Sequence, residues 1–317
     1  MEFTKKFIAT LTLSALLITS TTTSCDFRNQ FKYGVKYPKY YPEQSFEELD
    51  ESFEDSFDRL FQNTNLVPQG LTFDDNYMYV SMYDHDKRFN SVIVTLDFQG
   101  HFINICNLDN NAHVGGISYD RNNELIWVAA KNGNVDAYKK DTILNSTVAS
   151  PYYKDLYVGK GLPNYINPFG TSVSFLTVKN DELFVGNFSL FDTGLIKRYK
   201  VKKNEDESIV LTMDGSFVVP NKVQGLSFFN KNGQDYMLLS RSFGNNDNSL
   251  IQIYKYDPSI SDYMDQESTA YEFPAMIEET FIKDGNLYSL YETNSNPYQD
   301  PNKKNKTLRM SRIDSLY

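Results

Sequence analysis

From residue 65 onward the chain repeats a short pattern five times, and this repetition narrows the folds open to it more than any other feature. Each copy opens with a short apolar segment: Gly70-Leu-Thr-Phe73, Gly116-Ile-Ser-Tyr119, Phe175-Leu-Thr-Val178, Gly225-Leu-Ser-Phe228 and Glu279-Thr-Phe-Ile282. A polar turn follows each, as in Asp74-Asp-Asn76, Asn230-Lys-Asn-Gly233 and Lys283-Asp-Gly285. Asn, Asp and Gly tolerate positive φ, so these are hairpin signals. Second strands are expected at Tyr77–Ser81, Leu125–Ala129, Leu183–Gly186, Tyr236–Ser240 and Leu287–Tyr291. Third strands are expected at Ser91–Leu96, Asn134–Tyr138, Gly194–Tyr199, Ser249–Tyr254 and Thr307–Ile313, with fourth strands at His101–Cys106 and Ile209–Val219.

Aligning Gln69, Gly115, Ser174, Gln224 and Glu278 gives spacings of about 46, 59, 50 and 54 residues. Serial antiparallel units of this length predict an all-β chain, a β-propeller of five blades, with six the alternative count. A small sheet that is apolar on both faces cannot bury itself alone. Ring stacking covers both faces and protects the edges. The aromatic content of 15%, with 23 Tyr and 23 Phe, supplies rings to fill the wedges between blades. A sixth, degenerate unit would fall in residues 139–170 or 255–275. The C-terminal unit has no clear fourth strand, and Tyr33–Tyr41 is expected to supply it and clasp the ring shut.

The first 25 residues read as an address. Lys5 and Lys6 precede the apolar run Phe7–Ile18, small polar residues follow to Ser24, and then comes Cys25. This is the order of a secretory signal. The run falls short of the ~20 residues that span a bilayer. Cys25 after the small-residue segment resembles a bacterial lipoprotein signal, with Thr22 where that pattern usually has Leu. The division expected is 1–24 signal peptide, 25–64 tether and helix, and 65–317 propeller. Lipidation of Cys25 with a membrane-anchored, extracellular or periplasmic protein is one outcome, and plain secretion is the other. Ser45-Phe-Glu-Glu48 reads as a capping box. Phe46, Leu49, Phe53, Phe57, Leu60 and Phe61 then trace one apolar face of a short N-terminal helix. A net charge of −10 argues against nucleic acid as partner, because phosphate binding needs clustered Lys and Arg. Cys106, in an apolar alternating stretch, reads as a small buried hydrophobe.

The segments Val67-Pro-Gln-Gly-Leu71, His113-Val-Gly-Gly-Ile117, Val223-Gln-Gly-Leu226, Ser240-Arg-Ser-Phe-Gly244 and Tyr291-Glu-Thr293 resemble exported bacterial β-propeller proteins. Those are related in style to gluconolactonase-like and strictosidine-synthase-like propellers. The resemblance covers roughly residues 65–315. It implies a ligand site in the central channel, and in the lactonase-like enzymes a divalent metal held there by inner-strand Glu, Asn and Asp. Here the equivalent ring is Gln69, Gly115, Ser174, Gln224 and Glu278, with one carboxylate. That is poor in charge for a Ca²⁺-type site, so no cofactor is expected, a divalent cation being the exception the resemblance allows.

Inner-strand starts and second-strand ends would converge on the channel. They bring Gln69, His113, Ser174, Gln224, Glu278 and Glu279 together with Asp84, Asn187, Arg241 and Glu292. Amide, hydroxyl, imidazole and carboxylate groups suit a polar ligand such as a sugar or a peptide. The same groups could instead bond to neighbouring backbone. His113 could act as a general base with Glu278 or Glu279, or be a structural histidine. Asp84-His85-Asp86 could be a metal loop or an ordinary charged turn. Glu278 and Glu292 could form a glycosidase-like pair. Three function classes follow. The first is a surface-anchored module that binds a small molecule, glycan or protein. The second is a metal-dependent hydrolase or lactonase using channel carboxylates and His113. The third is a lyase or glycosidase acting on surface polysaccharide.

Overall fold

The computed structural model describes residues 36–41, 64–146, 156–157, 172–293, 295–298 and 308–312. The expected signal peptide, Cys25 and the 46–61 helix lie outside the described residues. The strands are β1 (Lys36–Tyr41), β2 (Leu66–Phe73), β3 (Met78–Asp84), β4 (Val92–Leu96), β5 (Phe102–Asn107), β6 (Ile117–Asp120), β7 (Leu125–Ala129), β8 (Val135–Lys139) and β9 (Leu156–Tyr157). They continue with β10 (Phe175–Lys179), β11 (Glu182–Gly186), β12 (Gly194–Lys203), β13 (Ile209–Val219), β14 (Val223–Lys231), β15 (Gln234–Arg241), β16 (Ser249–Lys255), β17 (Glu267–Phe273), β18 (Ile277–Lys283), β19 (Asn286–Tyr291) and β20 (Leu308–Arg312). They form antiparallel meanders: β2 to β5, β6 to β9, β10 to β13, β14 to β17 and β18 to β20. A short helix, α1 (Lys140–Asn145), follows β8.

Each first strand lies against the first strand of the next sheet: β2 against β6, β6 against β10, β10 against β14, β14 against β18, and β18 back against β2. The chain is a β-propeller. Apolar side chains fill the wedge between each neighbouring pair. Ile93, Cys106, Ile126 and Tyr138 share the first wedge, and Trp127, Leu176, Leu183 and Tyr199 the second. Phe184, Phe217, Met237 and Tyr254 share the third, and Leu238, Ile251, Leu287 and Tyr291 the fourth. Leu71, Met78, Val94, Tyr288 and Leu290 sit between the last sheet and the first. Middle strands are therefore buried on both faces, as β3 and β7 are along their whole length, while the outer β13 is largely open.

Hydroxyls stitch the sheets together where backbone would otherwise be left without partners. Thr72 Oγ1 accepts from Tyr119 N at 3.0 Å, and Ser118 Oγ from Val178 N at 2.9 Å. Ser81 Oγ donates to the Val114 carbonyl at 2.8 Å, and Ser240 Oγ to the Glu278 carbonyl at 2.8 Å. The first strands approach so closely that Gly116 could not carry a side chain, since a Cβ there would overlap the Leu176 backbone. The expected hairpins form. Asn232-Gly233 and Asp284-Gly285 take positive φ between paired Lys231/Gln234 and Lys283/Asn286, the geometry of tight two-residue turns.

Two expectations are corrected. The segment ending at Tyr41 does not complete the C-terminal sheet. β1 instead adds in parallel to the outer edge of β17 in the fourth sheet, with Tyr40 opposite Ala270. That edge offers unpaired backbone along seven residues, a template for any extended segment. Within 255–275, the segment Glu267–Phe273 is the fourth strand of the same sheet rather than part of an extra unit.

Candidate functional site

Three of the first strands carry a bulge at the same place. Register slips between Pro68 and Gly70, between Val223 and Gly225, and between Ile277 and Glu279. A bulge leaves one residue out of the ladder and re-aims its side chain. The residues set free are Gln69, Gln224 and Glu278. The same registers make Tyr83, Ser242 and Glu292 equivalent, each immediately after the residue (Met82, Arg241 or Tyr291) that pairs with the last position before the bulge. These positions meet at one mouth of the central channel.

The centre of this mouth is a carboxyl pair. Glu278 and Glu292 are buried and hydrogen-bonded to each other. Gln69, fully buried, donates from Nε2 to Glu292 Oε1 and to the Pro68 carbonyl at 2.8 Å. Burial, the charge of Glu292 and their shared hydrogen bond push Glu278 well above the usual carboxylate range. Burial raises Glu292 to about 7, while the bonds from Gln69 and Glu278 hold it down. Glu278 therefore keeps the proton and donates it to Glu292, whose carboxylate also receives the Gln69 amide. Gln69 Oε1 has no donor among the described residues.

An aromatic and basic wall stands beside the pair. The Tyr83 hydroxyl lies 3.3 Å from that of Tyr298, and burial, this bond and the Glu292 charge raise its pKa. The turn carrying Tyr298 is anchored where Ser295 Oγ donates to the Glu292 carbonyl at 2.6 Å. His113 packs its ring 4.3 Å from that of Tyr83, and the Lys87 ammonium lies 4.4 Å from the same ring. The His113 ring is open to channel water yet surrounded by protein. Those surroundings and the Lys87 charge lower its pKa to about 4, so it is neutral at physiological pH. Among the described residues neither of its nitrogens has a hydrogen-bond partner, and the half-buried Gln224 amide has none either.

Other expected site residues are placed differently. His113 makes no hydrogen bond to Glu278 or Glu279, so the proposed His–Glu pair does not form. The two acids satisfy other partners, and Tyr83 stands against the imidazole. Glu279 lies in the seam between β14 and β18. There it accepts from Thr280 N at 2.9 Å and from Leu226 N, and burial raises its pKa. Arg241 sits one position before the mouth, so strand alternation turns it to the opposite face. It is spent on Asn221 and Gln252, donating to the Asn221 carbonyl at 2.8 Å and to Gln252 Oε1 at 2.9 Å. Ser174 Oγ accepts from Phe188 N at 3.0 Å, and Asn187 Oδ1 from Leu195 N at 3.2 Å. The Asp84–Asp86 segment is a charged turn in which Asp84 accepts from Arg88 N at 2.7 Å. Tyr83, Lys87 and Tyr298 are the site residues that sequence reasoning missed.

A Ca²⁺ ion would need about six to eight oxygen ligands. Two carboxyls sharing a proton and one amide oxygen fall short of that. Among the described residues no three His, Cys, Asp or Glu side chains converge. The residues present do not fit the metal that the resemblance implied.

The opposite mouth holds a cavity of about 420 Å³ lined by Phe73, Tyr119, Val178, Phe281 and charged turn residues. Its charges are matched. Asp74 takes Asn76 N and Tyr77 N at 2.6 Å, Arg121 pairs with Asp75, and Lys283 with Asp284. A larger hollow of about 910 Å³ lies against the fourth sheet at Tyr236, Ile253 and Tyr256. Gln69 Oε1 at the Glu278 mouth is one of several buried polar atoms without a partner among the described residues, Thr95 Oγ1 in β4 and the Tyr199 hydroxyl in the second wedge being others.

No protein-family model matches the chain, and no curated protein sequence matches it. Solved structures match at low identity. The crystal structure of a nidogen/laminin complex is 12% identical, covers 72% of each chain and gives a TM-score of 0.40. The RRP9 WD40 repeats are 7% identical over 80% of this chain and 96% of that one, with a TM-score of 0.43. A putative glucose dehydrogenase from Thermus thermophilus is 12% identical over 77% and 96%, with a TM-score of 0.41.

Proposed function

We propose that the chain is an exported, five-bladed propeller that binds a polar ligand at the Glu278 mouth and is held to a membrane by a lipid on Cys25. The cyclic contact of the first strands and the apolar filling of every wedge support five blades. One observation carries the binding reading. A buried carboxyl–carboxylate pair and the unpartnered acceptor Gln69 Oε1 lie beside Tyr83, whose ring carries the exposed His113 imidazole. Buried polar groups such as Gln69 Oε1 are normally satisfied. A hydroxyl-bearing ligand would supply donors to Gln69 and Glu292 and an acceptor for His113.

The test is a thermal-shift screen of sugars and short peptides on wild type and Gln69→Ala. A ligand that raises the melting temperature of wild type and not of the variant supports the reading. Equal shifts in both would place binding elsewhere and refute it. Palmitate incorporation by wild type but not by Cys25→Ala tests the anchor, and equal labelling removes it.

A second reading is a hydrolase. Two acids whose environments hold one protonated and one ionised are an acid–base arrangement. Glu278 would donate a proton to a leaving group and Glu292 would activate water. Product release from a glycan or lactone substrate, abolished in both Glu278→Gln and Glu292→Gln, would favour it over binding alone. A calcium-dependent rise in melting temperature lost in Glu278→Gln would restore the metal-dependent form.

A further inference from the structure

The basic groups beside the acid pair are placed against the charge balance of the chain. With a net charge of −10, surface cations are expected to find carboxylates readily. Lys87 and Lys131 do not. Lys87 donates only to the Asn111 carbonyl, at 3.3 Å, and Lys131 has no ion pair among the described residues. Asp84, whose charge acts on Lys87, is also taken by the backbone and guanidinium of Arg88. Partial burial lowers the pKa of Lys87, and the charge of Lys131 lowers it further. Lys87 also lies over Tyr83, which carries His113 as well. The two cations thus stand near the mouth without a carboxylate ion pair among the described residues.

The rim adds a second feature. Among the described residues, the three most exposed aromatic rings are Phe89, Phe191 and Phe243, at 67%, 76% and 47%. Each lies in the loop between the second and third strands of its sheet, the loops that surround this mouth. Phe243 is backed by Phe188, with ring centres 6.2 Å apart, and has the Lys222 ammonium 5.8 Å from its centre. Flat apolar faces with a π-cloud, set round a polar well, suit the apolar faces of pyranose rings.

Building on the channel reading, we propose that this mouth holds the carboxylate of an acidic saccharide. Lys87 and Lys131 face the charge, His113 donates to it, and Phe89, Phe191 and Phe243 carry the flanking sugar rings. Sugar hydroxyls would donate to Gln69 Oε1 and Glu292. An acidic peptide offers the charge but fewer hydroxyls for these acceptors.

Calorimetric titration of the purified protein with trigalacturonate, an alginate trimer and sialyllactose, each beside its methyl ester, tests this. At least one acid is expected to bind tenfold or more tightly than its ester. Lys87→Gln/Lys131→Gln should remove that preference, while Lys202→Gln, an exposed lysine on β12, should keep it. Phe243→Ala should weaken acid and ester alike. Equal binding of acid and ester, with both lost in Gln69→Ala, would overturn the charge assignment and leave the channel reading standing. Loss of the preference in Lys202→Gln would also overturn it, as a mere net-charge effect. No binding by any of these saccharides, or tighter binding of an aspartate-rich peptide than of any uronate, would overturn it as well.

Discussion

The Glu278–Glu292 pair should make the protein less stable as pH rises, and the size of the effect follows from the geometry. Glu292 titrates near 7 in the fold against 4.5 in the open chain. Below pH 4.5 both states hold the proton and the group costs nothing. Above it the unfolded chain ionises first, so the fold loses stability until the group ionises in both states. Each tenfold in proton affinity is about 1.4 kcal/mol, so the loss from this group reaches about 3 kcal/mol above pH 7. Glu278, raised well above its ordinary value, extends the same slope to higher pH.

Glu278→Gln removes one acid and leaves an amide that can still donate to Glu292. The variant removes the Glu278 share of this loss and keeps the Glu292 share of about 3 kcal/mol, so it should match wild type near pH 4.5 and exceed it by a margin that widens as pH rises to 8. Urea unfolding between pH 5 and 8, followed by the fluorescence of Trp127, reads the difference. Trp127 is the one tryptophan of the chain and is fully buried. Parallel stability curves for the two proteins, or a variant weaker at pH 8, would refute the shared-proton description.

Gly225→Ala should cost about 1–3 kcal/mol, read by thermal melting, because its Cβ would overlap Glu279 Oε1 and lie 2.7 Å from the Glu278 carbonyl oxygen. A neutral result would mean that β14 and β18 are less tightly apposed. Cys106 is buried and its thiol is pushed up to about 11 by burial, so in a Cys25→Ser background it should resist thiol reagents at pH 8 until denaturant is added. Rapid labelling in the native state would contradict its place in the first wedge.

Much of the ring was legible in sequence because strand periodicity and Asn/Asp/Gly turns are local signals. The expected Ile209–Val219 strand has the observed bounds. β17 was missed. Its sequence, Glu-Ser-Thr-Ala-Tyr-Glu-Phe, alternates weakly, and its pairing with β16 is set by the neighbouring wedge rather than by its own residues. The place of β1 was misread for a related reason: edge pairing carries no side-chain code when both edges are open. At the site, Gln69, His113, Gln224, Glu278 and Glu292 were readable from the repeat. Arg241 was not correctly placed, because a bulge in β14 changes which residue of β15 faces the mouth. Tyr83 was overlooked for the same register reason. Bulges are properties of a strand pair, so one strand's sequence gives little warning of them.

The two ends of the channel are made by the same strands and differ in kind. At the far end, left-handed backbone falls on Asn180, Asn232 and Asp284 in tight hairpins, and on Glu124 in the β6–β7 hairpin, and the charges have partners. On the Glu278 side it falls on Asn132 and on Lys87, Val114, Lys222 and Met276, four residues with no side-chain reason to adopt it, and Val114 is β-branched. Such conformations cost on the order of 1–3 kcal/mol each and persist only where surrounding structure imposes them. Here the imposing structure is visible. The Val114 carbonyl receives Ser81 Oγ, Lys222 is held through Ser189 and Ser242, and the Met276 carbonyl receives Glu292 N. The strained backbone, the acid pair that shares a proton, and Lys87 and Lys131, which form no ion pair among the described residues, thus occupy one rim of a ring whose wedges are otherwise well packed. Stability alone would not select that coincidence, since relaxing any one of the three would leave the wedges intact. It is accounted for if this rim is shaped for a partner that supplies the hydrogen bonds and the countercharge it lacks.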